Sequence, residues 1–177
     1  MVFESLKGRE ELLKFLFCCG LVEERISNAY KSLASRIDDE YVKLLLEYVS
    51  DDSLKHSRIL KSVSRYLGVE EVDLDECSRI VGSVILCIIE DAERIASRTD
   101  IITVDKLTSE FDDLVNLEKF FGEEYFNMIQ LKLLEAIIEQ EKIEVGFLKE
   151  ILEYIIEDER RHEKILKAIK SYSSRKR

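Results

Sequence analysis

The segment VGFLKEILEYIIEDERRHEKILKAI, residues 145–169, carries the pattern that decides the fold of this 177-residue chain. Its residues at alternating spacings of four and three share one side of an α-helix: Leu148, Leu152, Ile155, Glu159, His162, Leu166 and Ile169. The aliphatic members predict a stripe that faces a core, whereas Glu159 and His162 are ionisable. An unpaired buried charge costs roughly several kcal/mol, so both side chains need partners. The spacing Glu-x-x-His lets both residues reach one metal ion.

The same pattern occurs a second time, 106 residues earlier in the chain. The two copies, residues 48–66 and 154–172, align without a gap and share a tyrosine at each end. The two histidines of the chain, His56 and His162, occupy the same position of the copies, whereas Ser53 stands where the second copy has a glutamate. Histidines matched in this way favour a shared role over two unrelated core histidines, each with one hydrogen bond.

The composition favours an all-helical protein with a single domain over residues 1–177. The chain has no proline and only six glycines, and 36% of its residues are charged, which exceeds the usual quarter. The net charge of −10 disfavours nucleic acid and anionic membranes as partners. No apolar run approaches the roughly 18 residues that a membrane span needs.

The four cysteines, Cys18, Cys19, Cys77 and Cys87, form no Cys-x-x-Cys pair. The sequence therefore predicts no zinc ribbon, no rubredoxin-type site and no thioredoxin motif. Because the cysteines lie in apolar helical stretches, we expect reduced, buried thiols and a cytoplasmic protein. The N-terminal stretch also lacks the pattern of a signal peptide.

Hydrophobic spacing predicts five helices, arranged as two hairpins and a connecting helix. The first hairpin covers about 9–67, the connecting helix about 74–97 and the second hairpin about 104–171. The first hairpin divides into helices at about 9–37 and 39–67, and the second into helices at about 104–139 and from about 146 onward. We expect helix caps at Asp39, Gly68 and Asp73, and a bend or an interruption of the first helix at Gly20. Apart from Glu159, the charged run 157–161 is expected on a solvated face.

Two further glutamates fall on apolar faces of the predicted helices. Glu23 precedes Tyr30 by seven residues, and Glu118 precedes Tyr125 by seven residues. Each predicted hairpin then carries a glutamate on its first helix and a histidine motif on its second. Glu118 could instead pair with a basic residue, and Glu24 could point inward in place of Glu23. The two tyrosines fit ordinary core positions as well.

This constellation resembles the ferritin-like di-iron carboxylate proteins, and among them the rubrerythrin-like members, in which a first helix carries glutamate and tyrosine seven apart. The resemblance covers most of the chain and implies a four-helix bundle built from two helical hairpins, to which the connecting helix is an addition. In that family two inward glutamates and two Glu-x-x-His motifs hold two metal ions about 3.5–4 Å apart.

Carried over to this sequence, the resemblance implies five metal ligands, namely Glu23, His56, Glu118, Glu159 and His162. It places Tyr30, Tyr125 and Ser53 beside them. Ser53 leaves the set one carboxylate short, because serine is a poor ligand for such a metal. Asp52 and Glu90 are candidates to fill the gap, and the site could also hold one metal ion.

The implied function is that of a non-haem di-iron or iron–manganese oxidoreductase that reacts with oxygen or peroxide, and zinc also suits these ligands. The sequence assigns no residue a catalytic role. Its electron donor would be a separate protein, and a homodimer is an option that the sequence leaves open. Because of Ser53, one alternative is a metal-free bundle that serves as an interaction or regulatory protein. A further alternative is an iron-storage ferroxidase subunit, which needs a closed cage of subunits.

Overall fold

The computed structural model describes residues 9–82, 84–103 and 145–175. These residues form the helices α1 (Arg9–Arg36), α2 (Glu40–Tyr66), α3 (Leu74–Val81), α4 (Val84–Ser97) and α5 (Val145–Arg175). Within these ranges there is no strand, only an isolated bridge between Ile37 and Ile102. The all-α class is therefore confirmed. The four-helix bundle stays a prediction, because the helix expected at about 104–139, with Glu118 and Tyr125, lies outside the described residues.

The first predicted hairpin is formed by α1 and α2, which run antiparallel. Ser27 and Ser50 each donate from the hydroxyl to the other's carbonyl oxygen, at 2.8 and 2.9 Å. Farther along the pair, the Ser64 hydroxyl donates to the Leu13 carbonyl oxygen at 2.6 Å. These small polar side chains satisfy their hydrogen bonds across the interface and let the two helices approach closely.

The expected interruption at Gly20 is wrong, because α1 continues through this residue. A Cβ atom built on Gly20 would lie 2.8 Å from Cγ of Lys61 and 3.0 Å from the carbonyl oxygen of Ser57, both on α2. The glycine therefore marks the closest approach of the two helices and does not interrupt one of them.

The expected caps of α2 and α3 are confirmed. Asp39 accepts hydrogen bonds from the backbone of Tyr41 and Val42, and Gly68 follows the helix end with a φ of +106°. At the next helix, the Asp73 side chain accepts from the backbone N–H of Glu76. Asp39 and Asp73 satisfy N–H groups at the starts of the helices, whereas the N–H of Gly68 donates to the carbonyl oxygen of Arg65 at the end of α2.

The connecting helix predicted at about 74–97 is wrong as a single element. Gly82, with a φ of +95°, ends α3, and α4 begins at Val84. The apolar spacing continues across the break, with Ile80 half-buried and Ile85 and Ile88 buried, so periodicity alone did not reveal it. A left-handed backbone conformation is readily adopted only by glycine.

The two short helices follow α1 in the same direction. Near the start of α1, Lys14 donates to Glu76 at 2.9 Å. Near its end, the Ser32 hydroxyl donates to the carbonyl oxygen of Ala96 at 2.9 Å. These contacts place α3 along the first part of α1 and α4 along its last part.

A disulfide joins Cys18 of α1 to Cys77 of α3. The expectation of four reduced, buried thiols is therefore wrong for this pair, and also for Cys87, which is free but exposed. Cys19 alone is free and buried, as expected. The pairing was not apparent because the partners lie 59 residues apart, and sequence spacing does not reveal which helices touch. The cysteine pattern thus gives no support to the predicted cytoplasmic location.

Among the described helices, none combines the length and apolar character that crossing a membrane would require.

The last helix, α5, packs antiparallel against α2 and ends later than the predicted 171. Its buried aliphatic side chains are Leu152, Ile155, Ile156, Leu166 and Ile169. At the far end of the pair, the Tyr172 hydroxyl donates to the Asp39 carboxylate at 3.0 Å. This packing places the middle of α5 against the middle of α2, where the two copies of the histidine motif meet.

Candidate metal centre

Four ionisable side chains from three helices meet in the interior. Glu23 of α1, His56 of α2, and Glu159 and His162 of α5 are each at most 2% exposed. The two imidazole rings stack with centroids 5.8 Å apart. Ionisable groups are seldom buried to this degree unless they pair with one another or bind a metal ion.

The inner face of the cluster is formed by Nδ1 atoms and carboxylate oxygens. Oε1 of Glu159 lies 2.9 Å from Nδ1 of His56 and 3.7 Å from Nδ1 of His162. Oε1 of Glu23 lies 3.9 Å from Nδ1 of His56. Ligand atoms of Glu23, His56 and Glu159 all fall within 4.8 Å of one another. Two atoms bound to one ion at about 2.1 Å lie roughly 3–3.5 Å apart, so small adjustments would let one ion reach all three.

The outer face of each imidazole contacts an aspartate from the opposite helix. Nε2 of His56 lies 3.0 Å from Asp158 on α5, and Nε2 of His162 lies 3.3 Å from Asp52 on α2. Asp52 and Asp158 occupy the same position in the two copies of the repeat. A carboxylate accepts the hydrogen bond from Nε2–H and so favours the tautomer whose Nδ1 carries a lone pair toward the interior, as in metal-binding histidines.

Basic side chains hold the two outer aspartates from the solvent side. Lys55 lies 2.6 Å from Asp52 and 3.3 Å from Asp158, and Arg161 also pairs with Asp158. Burial raises the pKa of Asp52, but its contacts with Lys55 and His162 outweigh this effect and leave the pKa below the ordinary value. Asp52 therefore stays ionised and able to accept from His162.

Glu159 carries a negative charge in the interior. Burial raises its pKa, but the contacts with His162 and His56 outweigh burial and hold the pKa well below its usual range. Nevertheless, Nδ1 of His56 and Oε1 of Glu159 have no hydrogen-bond partner in the described part of the chain, although they lie 2.9 Å apart. If Nδ1 of His56 carries a lone pair, this lone pair and the carboxylate oxygen repel each other at this distance, and a proton or a metal cation between them removes the repulsion.

The structure therefore brings together four of the five predicted ligands, Glu23, His56, Glu159 and His162. The fifth, Glu118, lies outside the described residues, as does Tyr125. Tyr30 is fully buried in the hydrophobic core. Ser53 is buried on the same face of α2 as His56, one turn earlier.

The two residues predicted as additional ligands occupy other positions. Asp52 contacts His162 at Nε2, on the outside of the cluster, and does not approach Nδ1 of His56. Glu90 is exposed on α4, so the expectation that it fills the gap left by Ser53 is wrong. Glu90 occupies the solvent side of α4, whose buried side consists of aliphatic residues such as Ile85 and Ile89.

One residue of the centre was missed by the sequence interpretation. Asp158 belongs to the charged run 157–161, which was expected on a solvated face, yet it is largely buried and contacts His56. The identical aspartate at both copies of the repeat was the signal that could have identified it.

The thiol of Cys19 is buried one turn before Glu23 on α1. Burial, and then the charge of Glu23, raise the pKa of the thiol well above its ordinary value.

Comparison with known proteins adds no relative: no protein-family model, no curated protein and no solved structure matches this chain. The likeness to ferritin-like proteins therefore stays a prediction that rests on the residues named above.

Proposed function

We propose that this protein binds a first-row transition metal ion between α1, α2 and α5, with Glu23, His56, Glu159 and His162 as ligands. The observation that carries the proposal is the 2.9 Å separation of His56 Nδ1 and Glu159 Oε1, two buried atoms that make no hydrogen bond. The aspartate at Nε2 of each histidine supports it, because this contact directs a lone pair toward the cluster.

The donor set of imidazoles and carboxylates suits iron and manganese and also accommodates zinc. With iron or manganese bound, the metal would supply one-electron redox chemistry. We propose reaction with oxygen or peroxide as the activity, because that is the chemistry implied by the ferritin-like resemblance. The contribution of the chain is to hold the imidazoles in place through Asp52 and Asp158, and to exclude bulk water from the buried carboxylates. Electrons would come from a separate protein, since no Cys-x-x-Cys pair exists.

The proposal is tested by anaerobic reconstitution with Fe(II), Mn(II) or Zn(II), followed by measurement of bound metal per chain. Peroxide is then added to the iron-loaded protein, and the near-ultraviolet absorbance is followed. We expect metal binding in the wild type and in the control Glu157→Gln, which alters an exposed glutamate two residues from the site. Glu159→Gln should abolish it. Metal at trace level in the wild type would exclude the proposed centre.

A second candidate, a metal-free interaction or regulatory bundle, is favoured by one specific contact. If His56 and His162 are protonated, Glu159 forms an ion pair with both, and no metal is needed. This alternative predicts that chelators leave the melting temperature unchanged and that His56→Ala leaves function intact. The iron-storage alternative requires a large cage, and size-exclusion chromatography distinguishes it from a monomer or dimer.

A further inference from the structure

Ser53, which lies one turn before His56 on the same buried face of α2, stands out because its hydroxyl is buried and makes no hydrogen bond to a described residue. The side chain is 1% exposed, and its Oγ has no hydrogen-bond partner among the residues whose positions are described. By contrast, Ser50, one turn earlier on α2, exchanges hydrogen bonds with Ser27. Leaving a buried hydroxyl unsatisfied costs stability, so its retention beside the cluster points to a ligand that it can contact.

The internal repeat shows what occupies the corresponding position in α5. Glu159, the counterpart of Ser53, reaches toward both histidines with the same carboxylate oxygen. Serine is too short to do so from α2. The space that a glutamate at position 53 would fill is therefore occupied only in part by the Ser53 hydroxyl, and a small ligand could bind beside it.

Charge balance indicates how many ions the cluster accommodates. Among the four described ligands, Glu23 and Glu159 are the carboxylates, and their two negative charges balance one divalent ion. The outer aspartates, Asp52 and Asp158, are already balanced by Lys55 and Arg161. A second ion would need further carboxylates from outside the described residues.

We infer that the four described ligands together hold a single metal ion, and that Ser53 leaves one coordination position open to a small anion, to which its hydroxyl donates a hydrogen bond. This inference rests on the proposed metal-binding function and adds to it the number of ions and the place where a small ligand enters. Hydroxide, peroxide and azide are ligands of this kind, since each is small, negatively charged and able to accept from a hydroxyl.

Titration with Co(II), whose visible spectrum responds to its ligands, tests the inference together with sodium azide as the probe anion. The wild type should bind one Co(II) per chain, and azide should change its spectrum in a saturable manner. Ser53→Ala should keep the single ion but weaken azide binding roughly tenfold, as expected for loss of a hydrogen bond to a charged group. Ser53→Glu should abolish the azide response, because the new carboxylate takes the open position.

The matched control is Ser50→Ala, which removes a buried serine hydroxyl whose hydrogen bonds are already satisfied on α1. It should lower the melting temperature and leave azide affinity unchanged. Ser53→Ala should leave the melting temperature of the metal-free protein unchanged or raise it, since it removes an unsatisfied group. This readout is independent of any bound metal.

The outcomes separate the inference from the function on which it rests. No bound Co(II) in the wild type would remove the proposed function itself. Two ions per chain would leave metal binding in place and overturn the single-ion inference. One ion with no azide response, or with equal azide affinity in the wild type and Ser53→Ala, would overturn the assignment of the open position to Ser53.

Discussion

The histidine motifs of α2 and α5 share their outer contacts and differ in their inner ones. In both, an aspartate four residues before the histidine reaches across to the histidine of the other helix. Only α5 places a carboxylate on the inner side, because Glu159 has Ser53 as its counterpart. The repeat therefore preserves the part that orients imidazoles and varies the part that sets charge. Each imidazole is therefore oriented by an aspartate of the other helix, whereas the carboxylate on the inner side of the repeat comes from α5 alone.

The strongest test of this asymmetry compares the two histidines. We expect His56→Ala to weaken metal binding by more than about 100-fold, a loss beyond that for an outer partner, because Nδ1 lies among the three converging ligand atoms. His162→Ala should weaken it less, since its Nδ1 lies farther from Glu159, at 3.7 Å compared with 2.9 Å. Isothermal titration with Zn(II) measures both, and equal losses would show that the copies are equivalent.

The covalent link on the other side of α1 should affect stability but not metal binding. Cys18→Ser removes the disulfide to Cys77 and should lower the free energy of unfolding by about 2–4 kcal/mol. Urea denaturation measures the loss, and Cys87→Ser, at an exposed free cysteine, is the control with little expected effect. Metal per chain should be unchanged, because the hydrogen bonds between Ser27 and Ser50 still hold α1, with Glu23, against α2. A loss of metal in Cys18→Ser would show that α1 positions the centre through its disulfide.

The outer aspartates should matter to a smaller and more even degree. Asp158→Asn and Asp52→Asn should each reduce metal affinity about 10- to 100-fold, since each removes the carboxylate that orients a ligand histidine. Competition with a chelating dye measures the change. An effect confined to Asp158→Asn would mean that His162 is not a ligand, and would reduce the centre to Glu23, His56 and Glu159.

The smallest expected effect concerns Glu24, the neighbour of a proposed ligand. Its hydrogen bond with Lys61 of α2, at 2.7 Å, lowers its pKa. Because the pKa of Glu24 is lower in the folded state, the ion pair stabilises the fold at pH values above the unfolded-state pKa of about 4.3. This contribution disappears as the pH falls through the folded-state pKa. Glu24→Gln should therefore cost about 0.2–1 kcal/mol at pH 7, as for an exposed pair, and almost nothing near pH 3. Urea denaturation at both pH values measures it, and metal binding should not change.

The elements that local chemistry defines could be predicted from the sequence. The 4-3 spacing predicted α1, α2 and α5, and Asp39, Gly68 and Asp73 act at the helix ends as expected. Four predicted ligands meet because their positions follow from helical periodicity once the two copies are antiparallel. Periodicity carries this information because each of these residues is fixed by the face of its own helix.

What could not be predicted depends on which helices touch. The break at Gly82 leaves the apolar spacing intact, so only the backbone conformation reveals it. The disulfide depends on α3 lying along α1, and the role of Asp158 depends on α5 facing His56. Gly20 was interpreted as a local bend, although its reason is the nearby backbone of α2. For the disulfide, Asp158 and Gly20 the cause lies in another segment of the chain, about which the spacing within one helix carries no information.

Because Asp52 and Asp158 each cross to the histidine of the other helix, metal binding at the proposed centre would depend on the packing of α2 against α5. Neither helix alone presents an oriented imidazole, so an isolated segment would be a poor chelator even though it carries a ligand histidine. Affinity for the ion and the free energy of docking the two helices are then linked quantities, and each should rise when the other does. A bound ion would thus hold α5 against α1 and α2 without a covalent bond, whereas the disulfide links α1 to α3 covalently.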